Sequence, residues 1–527
     1  MLFRQIKHSA ANLRSFSTGR PNTRRRYVAG GLVAGTALLY AVSPAFREDV
    51  DFTLHAGQRS ATVALALGKC VWFYRRALSA HYDNKEDREE AIRECHKRCA
   101  LITRSALERN AGVFIKLGQH ISALTYILPD EWTQTMIPLQ DQCPVSSFES
   151  VKELVSNDTG KTLSEIFSDF EKEPMGTASL AQVHRATLTN GQEVAVKVQH
   201  PELKKFVPLD IRLTSAVFKM VDFFFPQYPL LWLSDEMRTS LAVELDFEQE
   251  AHNAELTAAY FKKFYNETAL RIPKVYWAQK RLLCMEFLRG IRPDHREELE
   301  AAKINLRDVS LCFSNIFNNM IFTPHVGLHC DPHAGNIAIR PCNTNKHGFE
   351  VILYDHGLYR YVETDLRVAY ARFWLSLMDR DVEGMRIHAK EFAHIDDDDF
   401  KVFAAAITGR DFDNSVDGSV FSKPRTKAEI QHMQSAVQSD SALTSQIMQM
   451  LHKMPRVVLL ILKTNDLVRY LDEKLGSPLG VTREFIIMAK YCSLTIFSEE
   501  RKTSIFKAWF HYIWTQIRLI TIKCLMT

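Results

Sequence analysis

The sequence predicts an α+β chain in which a helical extension precedes a small sheet-bearing lobe and then a larger, mostly helical lobe. Three observations predict it. Apolar residues recur at three- and four-residue spacings from about Ala61 to Gly160, which is a helical period. From Glu173 the pattern changes to short β-type runs at Ser179 to Thr187, Glu193 to Gln199 and Leu282 to Phe287, with Asn190-Gly191 as a hairpin turn between the first two. Beyond roughly Gly290 helical spacing returns, interrupted by an irregular region at Thr323 to Asn336 and one more strand at Glu350 to Tyr354.

Each part has a local reason. Within the extension, Ala61 to Leu67, Arg88 to Arg109 and Ala111 to Leu124 carry one apolar stripe apiece. Leu128-Pro129-Asp130-Glu131 reads as a turn entering a helix, because Pro presets its backbone angle and carboxylates suit the positive helix start. Upstream, Arg4, Lys7, Arg14, Arg20, Arg24, Arg25 and Arg26 all precede the first acidic residue, Glu48. An Arg-rich, acid-free segment punctuated by Ser and Thr has the make-up of a mitochondrial presequence, expected over 1–26. The uncharged stretch from Tyr27 to Val42, extended to Phe46, is a short membrane anchor, with Gly31 and Gly35 at a helix-packing spacing. At the far end, Ile505 to Thr527 is rich in Trp, Phe and Ile, with Lys507, His511 and Arg518 on one helical face. That favours a membrane-interface helix over 501–527, a buried core helix being the alternative.

Composition narrows the function. Over 527 residues, 66 basic against 62 acidic side chains leave a net charge of +4, too balanced for a nucleic-acid binder. The 10 cysteines show no CxxC pairing, so neither a zinc site nor a disulfide framework is expected. Cys95 and Cys99 with His96 lack the second ligand pair that structural zinc needs.

Two clusters carry chemistry. The loop Gly176-Thr177-Ala178-Ser179 precedes a strand, and Val194-Ala195-Val196-Lys197 lies across the hairpin. A nucleotide's phosphates need close backbone N–H groups and a cation, which small loop residues and Lys197 can supply. The second cluster is His329-Cys330-Asp331-Pro332-His333-Ala334-Gly335-Asn336, followed by Asp355-His356-Gly357 at the end of an apolar strand. Asp331 and Asn336 have the offset of a kinase catalytic loop, where the Asp faces the nucleophile and the Asn binds magnesium; Asp355 stands where the second metal carboxylate belongs. The fold expected is thus two-lobed and protein-kinase-like, with ATP and magnesium as ligands. Met285-Glu286-Phe287 is the hinge expected to meet adenine.

At these residues the chain resembles the UbiB/aarF-domain family of atypical kinases over about 105 to 500. Lys116-Leu117-Gly118-Gln119 is similar to that family's KxGQ motif and Glu244-Leu245-Asp246 to its ExD motif; Glu250 is similar to the glutamate that pairs with the strand lysine. Helical spacing puts Lys116 and Gln119 on one face, and Asp246 and Glu250 likewise, so that two carboxylates can meet two lysines. The Leu459 to Leu467 stretch and the Asp-His-Gly variant look closest to the aarF-domain-containing kinase 1 subgroup. The resemblance implies lobes at 161–288 and 289–500, a regulatory extension at 47–160, and a role in mitochondrial lipid homeostasis and inner-membrane organisation. Two features depart from the family: Gly176 gives the alanine-rich loop extra backbone freedom, and His356 replaces Phe.

Two absences bear on substrate. Cys330 stands where conventional kinases carry Arg, and few residues separate Gly357 from the helix expected near Thr364, leaving no peptide-docking segment. If the Lys116 helix covers the cleft, a small or lipid acceptor is favoured over a protein. The sequence therefore points to an ATPase or a small-molecule or lipid kinase, with nucleotide and mitochondrial membrane lipids as partners. The alternative is a pseudokinase scaffold contacting inner-membrane proteins.

Overall fold

The structure, a computed structural model, describes residues 40–123, 128–140, 145–226, 230–324, 326–408, 446–447, 449–451, 453–476 and 480–525. Two compact units divide the chain, 1–62 and 63–527. In the first, the described chain is the opening of helix α1 (Pro44–Ser79), preceded by Tyr40, whose hydroxyl donates to Asp51 at 2.8 Å. The presequence and most of the expected anchor, up to residue 39, lie outside the described residues. Among the described residues no helix is long and apolar enough to cross a membrane.

The second unit opens with the rest of α1, then α2 (Lys85–Asn110), α3 (Val113–Ala123), α4 (Asp130–Met136) and α5 (Phe148–Thr159). Side-chain caps fix their starts: Asn84 accepts from the Asp87 amide at 2.7 Å and Ser147 from the Ser150 amide at 3.3 Å. Gly118 lets α3 approach its neighbours closely. A Cβ there would overlap Leu139 Cδ1 and lie 3.1 Å from Leu107 Cδ1.

The small lobe is an antiparallel sheet of β1 (Phe167–Phe170), β2 (Gly176–Thr177), β3 (Ala181–Leu188), β4 (Glu193–Gln199), β6 (Val275–Gln279) and β7 (Leu282–Glu286). Their order is β1-β3-β4-β7-β6, with β2 on β3. Strand β3 begins at Ala181 rather than Ser179 because Ala178 to Leu180 form the turn from β2, closed by the Ala178 amide on Ala181 at 2.7 Å. Gly176 is ordinary strand backbone: its φ is not positive, and a Cβ there would meet nothing. The expected extra freedom of that glycine is therefore not used.

Alternation along β4 sets up the site. Val194, Val196 and Val198 pack against Val151, Leu154 and Leu282, while Ala195 turns to the opposite face with Phe247, Ala251 and Met285. Lys197 shares that second face. Helices α6 (Leu203–Phe224), α7 (Leu231–Glu244) and α8 (Phe247–Phe261) follow β4.

The large lobe holds α9 (Leu306–Phe322), α10 (Thr364–Asp379), α11 (Val382–Ala393), α12 (Phe400–Thr408), α13 (Arg456–Lys474), α14 (Val481–Glu500) and α15 (Ile505–Leu525). Its core centres on α9, where Val309, Cys312, Phe313, Ile316, Phe317 and Met320 are all buried. Short strands carry its loops: β8 (Leu328–His329) pairs β11 (Tyr359–Arg360), and β9 (Ile337–Pro341) pairs β10 (Phe349–Leu353), which also takes β5 (Leu270–Arg271) alongside.

Candidate nucleotide and phosphotransfer site

Lys197 leaves β4 on the α8 side of the sheet. Its Nζ donates to Glu250 Oε1 and Oε2 at 2.7 and 2.9 Å and to Asp355 Oδ2 at 2.8 Å. Burial opposes a charged ammonium here, but Asp355 and then Glu250 outweigh it and hold the Lys197 pKa above its usual value. Against the same cation, burial prevails at Glu250, which is only 2% exposed, and its carboxyl rises to about 7. Asp355 resists its own burial through Lys197 and the Gly357 amide, which donates to Oδ1 at 3.0 Å, and stays well below the carboxylate range.

Two loops meet through His329. Its Nδ1 accepts from the Asp331 amide at 3.0 Å, which leaves Nε2 as the protonated nitrogen that donates to the Asp355 carbonyl at 3.0 Å. Burial lowers its pKa to about 4, so the bridge is neutral. Asn336 donates through Nδ2 to the Asp331 carbonyl at 3.1 Å, and its own carbonyl accepts from the Tyr354 amide at 2.9 Å. Asp331, Asn336 and Asp355 are thereby tied into one framework.

His356 does not face this framework. Tyr359 donates its hydroxyl to Nδ1 at 2.9 Å, Nε2 donates to the Leu353 carbonyl at 3.2 Å, and the two rings stack. It is a satisfied core histidine, driven by burial to about 3. Its backbone fastens the loop to α8, with the carbonyl accepting from Asn253 at 3.0 Å.

The extension reaches both sides of the cleft. From α3, Lys116 Nζ lies 2.7 Å from Glu244 and 3.6 Å from Asp331, while Gln119 donates to the Leu139 carbonyl at 3.0 Å and accepts from Ser179 at 3.5 Å. The partner of Lys116 is Glu244, not Asp246. Asp246 is the N-cap of α8 and accepts from the Glu248 and Gln249 amides at 3.1 and 3.2 Å.

Sequence reasoning missed one cation. Lys463, on α13, donates to Asp331 Oδ1 at 3.0 Å. Although burial opposes it, Lys463 and then Lys116 hold the Asp331 carboxyl well below its usual range. His120 of α3 sits near both lysines, and burial followed by their charge lowers it to about 3. Lys463 lay within the stretch read as a subgroup signature, but nothing local marks a helical lysine as facing a distant loop.

Of Met285-Glu286-Phe287, read as the hinge, the first two residues still belong to strand β7. Met285 is buried against Ala195, Phe247 and Ala251, and the Glu286 amide already donates to Lys274 at 2.8 Å. Met285 is thus wall rather than edge, and chain freed from the ladder begins at Phe287. After Gly357 only β11 intervenes before α10, so no long segment follows the Asp355 loop.

A strand lysine paired to a helix glutamate, with an Asp and Asn loop below and a second Asp after a strand, defines a protein-kinase-like site on a two-lobed α+β fold. Residues 138–389 match the family described as the ABC1 atypical kinase-like domain, and the chain belongs to that family. It is 50% identical over 500 residues to the ABC1 family protein MCP2 of Saccharomyces cerevisiae, covering 93% of this chain and 88% of that one. It is 35% identical over 436 residues to AarF domain-containing protein kinase 1 of Xenopus laevis, covering 82% of each. A solved complex of Rv3197 with erythromycin from Mycobacterium tuberculosis aligns with a TM-score of 0.41 at 17% identity, over 71% of this chain and 93% of that one.

Proposed function

We propose that this chain binds ATP with magnesium at a mitochondrial membrane and works as an ATPase or as a kinase of a small or lipid acceptor. The observation that carries the reading is the convergence of Lys197, Glu250 and Asp355 on a framework shared with Asp331 and Asn336.

The residues fit the ligand. Among the described residues Asp355 Oδ1 is engaged only by the Gly357 amide, and Asn336 offers an amide oxygen, so both suit a hard cation such as magnesium. Glu244 Oε1, nearby, is a buried acceptor without a hydrogen-bond partner among the described residues. When bound, ATP supplies the phosphoryl group and magnesium offsets its charge.

Lys197, aimed by Glu250, is the cation for the α and β phosphates. Gly176 and Thr177 at the end of β2, with Ala178 and Ser179 of the turn that follows, would cover the phosphates, held to the extension through Ser179 and Gln119. Met285 backs the adenine pocket. Asp331 keeps its negative charge between two lysines, which suits it to orient an acceptor hydroxyl more than to retain a proton. The short connection after Gly357 and the helix carrying Lys116 and Gln119 favour a small acceptor. Location rests on the acid-free basic segment 1–26 and the apolar stretch after it.

Thermal melting with ATP and magnesium tests the reading, because a ligand that binds only the folded state raises the midpoint. A shift that requires the metal and vanishes in Asp355→Asn is expected. A folded sample with no shift at millimolar ATP would sink it. The clamp of two lysines on Asp331 favours a second reading, a non-transferring scaffold, in which Asp331→Asn would leave cellular function intact.

A further inference from the structure

Helix α15 has an unusual surface. Ala508, Thr515 and Leu519 are buried on one side, where Gln516 donates to Ser493 at 3.2 Å and Trp509 and Tyr512 meet the Phe497 ring of α14. The opposite side exposes Phe506 at 86% and Phe510 at 68%, together with Ile513, Trp514, Ile517 and Ile520. At 100° per residue these six fall within about a third of the helix circumference and run from its first turn to Ile520. A single exposed Phe is ordinary, but a continuous aromatic and aliphatic stripe of this length marks a surface that something covers.

The charges select the occupant. No acidic residue occurs from Ile505 to Leu525, and the helix brings Lys507, His511 and Arg518 to the flank of the stripe. His511 is bound to Glu500 at 2.8 Å and Arg518 to Asp379, whereas Lys507 is exposed with no acidic partner among the described residues. Arg501 stands exposed just before the helix. A second copy of the chain would present the same exposed Lys507 and Arg501, which like charges disfavour, whereas an anionic bilayer surface complements them. Tryptophan also suits this boundary, since its ring is apolar and its N–H is wet.

We propose that α15 is an in-plane membrane-docking helix that seats Phe506, Phe510, Trp514 and Ile517 among the acyl chains of an anionic leaflet while its inner side stays packed on α14. The proposal does not depend on nucleotide binding. It makes the large lobe, and not only an N-terminal segment, a membrane contact.

Quenching of tryptophan emission by bromine-labelled acyl chains tests it in the full chain, using vesicles of phosphatidylcholine with phosphatidylserine and of phosphatidylcholine alone. The stretch Tyr27 to Phe46 contains no Trp, so an inserted N-terminal segment is silent. Trp72 is also exposed, so the reference is the full chain carrying Trp509→Phe with Trp514→Phe. Quenching that is stronger on the anionic vesicles and largely lost in that variant is expected. A companion Phe506→Ser with Phe510→Ser, both on exposed positions, should keep the wild-type melting point and weaken vesicle binding about tenfold or more. Quenching that is absent, or unchanged without the two tryptophans, would overturn the proposal. So would a lipid-free dimer that the serine variant dissociates, which would assign the stripe to a second copy.

Discussion

Lys463 Nζ and Asp331 Oδ1 lie 3.0 Å apart, although 132 residues separate them in sequence. The contact sets how acidic the loop carboxylate is. Burial disfavours its charge, but Lys463 and then Lys116 more than reverse that effect. A carboxylate whose folded pKa is depressed stabilises the fold above its unfolded pKa and loses that stabilisation as pH falls through the folded value. Asp331 therefore keeps contributing down to about pH 4 in the wild type. Lys463→Met removes its strongest partner while Lys116 remains, so we expect a loss of up to about 3 kcal/mol near neutral pH and an acid limb moved to higher pH. Melting temperature followed from about pH 7 to 4 checks this; an unmoved acid limb would make Lys463 a bystander.

That contact also marks the limit of what the sequence shows. The strands around Lys197 were legible because two-residue alternation and an Asn-Gly turn are local signals, and Asp331, Asn336 and Asp355 because their spacing is itself the signal. Which side chains meet across the chain is not local. Helical spacing points to Asp246 and Glu250 as the carboxylates for the two lysines, but Lys116 meets Glu244, since Asp246 is spent on the α8 amides. Lys463 reads as one more helical lysine until α13 is docked beside the loop.

The two acids of that motif should therefore separate by experiment. Asp246→Ala removes a helix cap and is expected to cost about 1 kcal/mol with little effect on Lys116. Glu244→Gln leaves the buried Lys116 ammonium with Asp331 at 3.6 Å as its remaining ion-pair partner among the described residues, and should cost more, about 2 to 3 kcal/mol. Urea unfolding of both variants gives the comparison. Equal losses would mean that the cap, not the ion pair, is what the motif supplies.

Lys197→Met should show a pH signature opposite to that of Asp331. Burial raises the Glu250 carboxyl to about 7 even with Lys197 bonded to it. A raised carboxyl stabilises below its unfolded pKa and loses that stabilisation as pH rises through the folded value. Without the lysine, Glu250 and Asp355 confront each other, and the glutamate holds its proton more tightly still. We expect destabilisation of about 3 to 5 kcal/mol that is smaller at about pH 6 than at pH 8, with no melting shift from magnesium and ATP. A loss independent of pH would show that the pair is not the source.

Gly118 and Gly176 stand in similar-looking small-residue motifs but should respond oppositely to alanine. A Cβ at Gly118 would intrude on Leu139, which is fully buried, so the α3 backbone or its neighbours must move. Overpacking of this kind costs about 1 to 3 kcal/mol. Because Lys116 and Gln119 ride on the same helix, displacing it should also loosen their bonds to Glu244 and Ser179. Gly176 has ordinary backbone angles and open space at its Cβ, so Gly176→Ala should leave the melting temperature within error. Hydrogen exchange over 113–123 distinguishes the two: faster exchange is expected in Gly118→Ala alone. Faster exchange in Gly176→Ala as well would mean that the Ser179 loop, through Gln119, governs how firmly α3 is held.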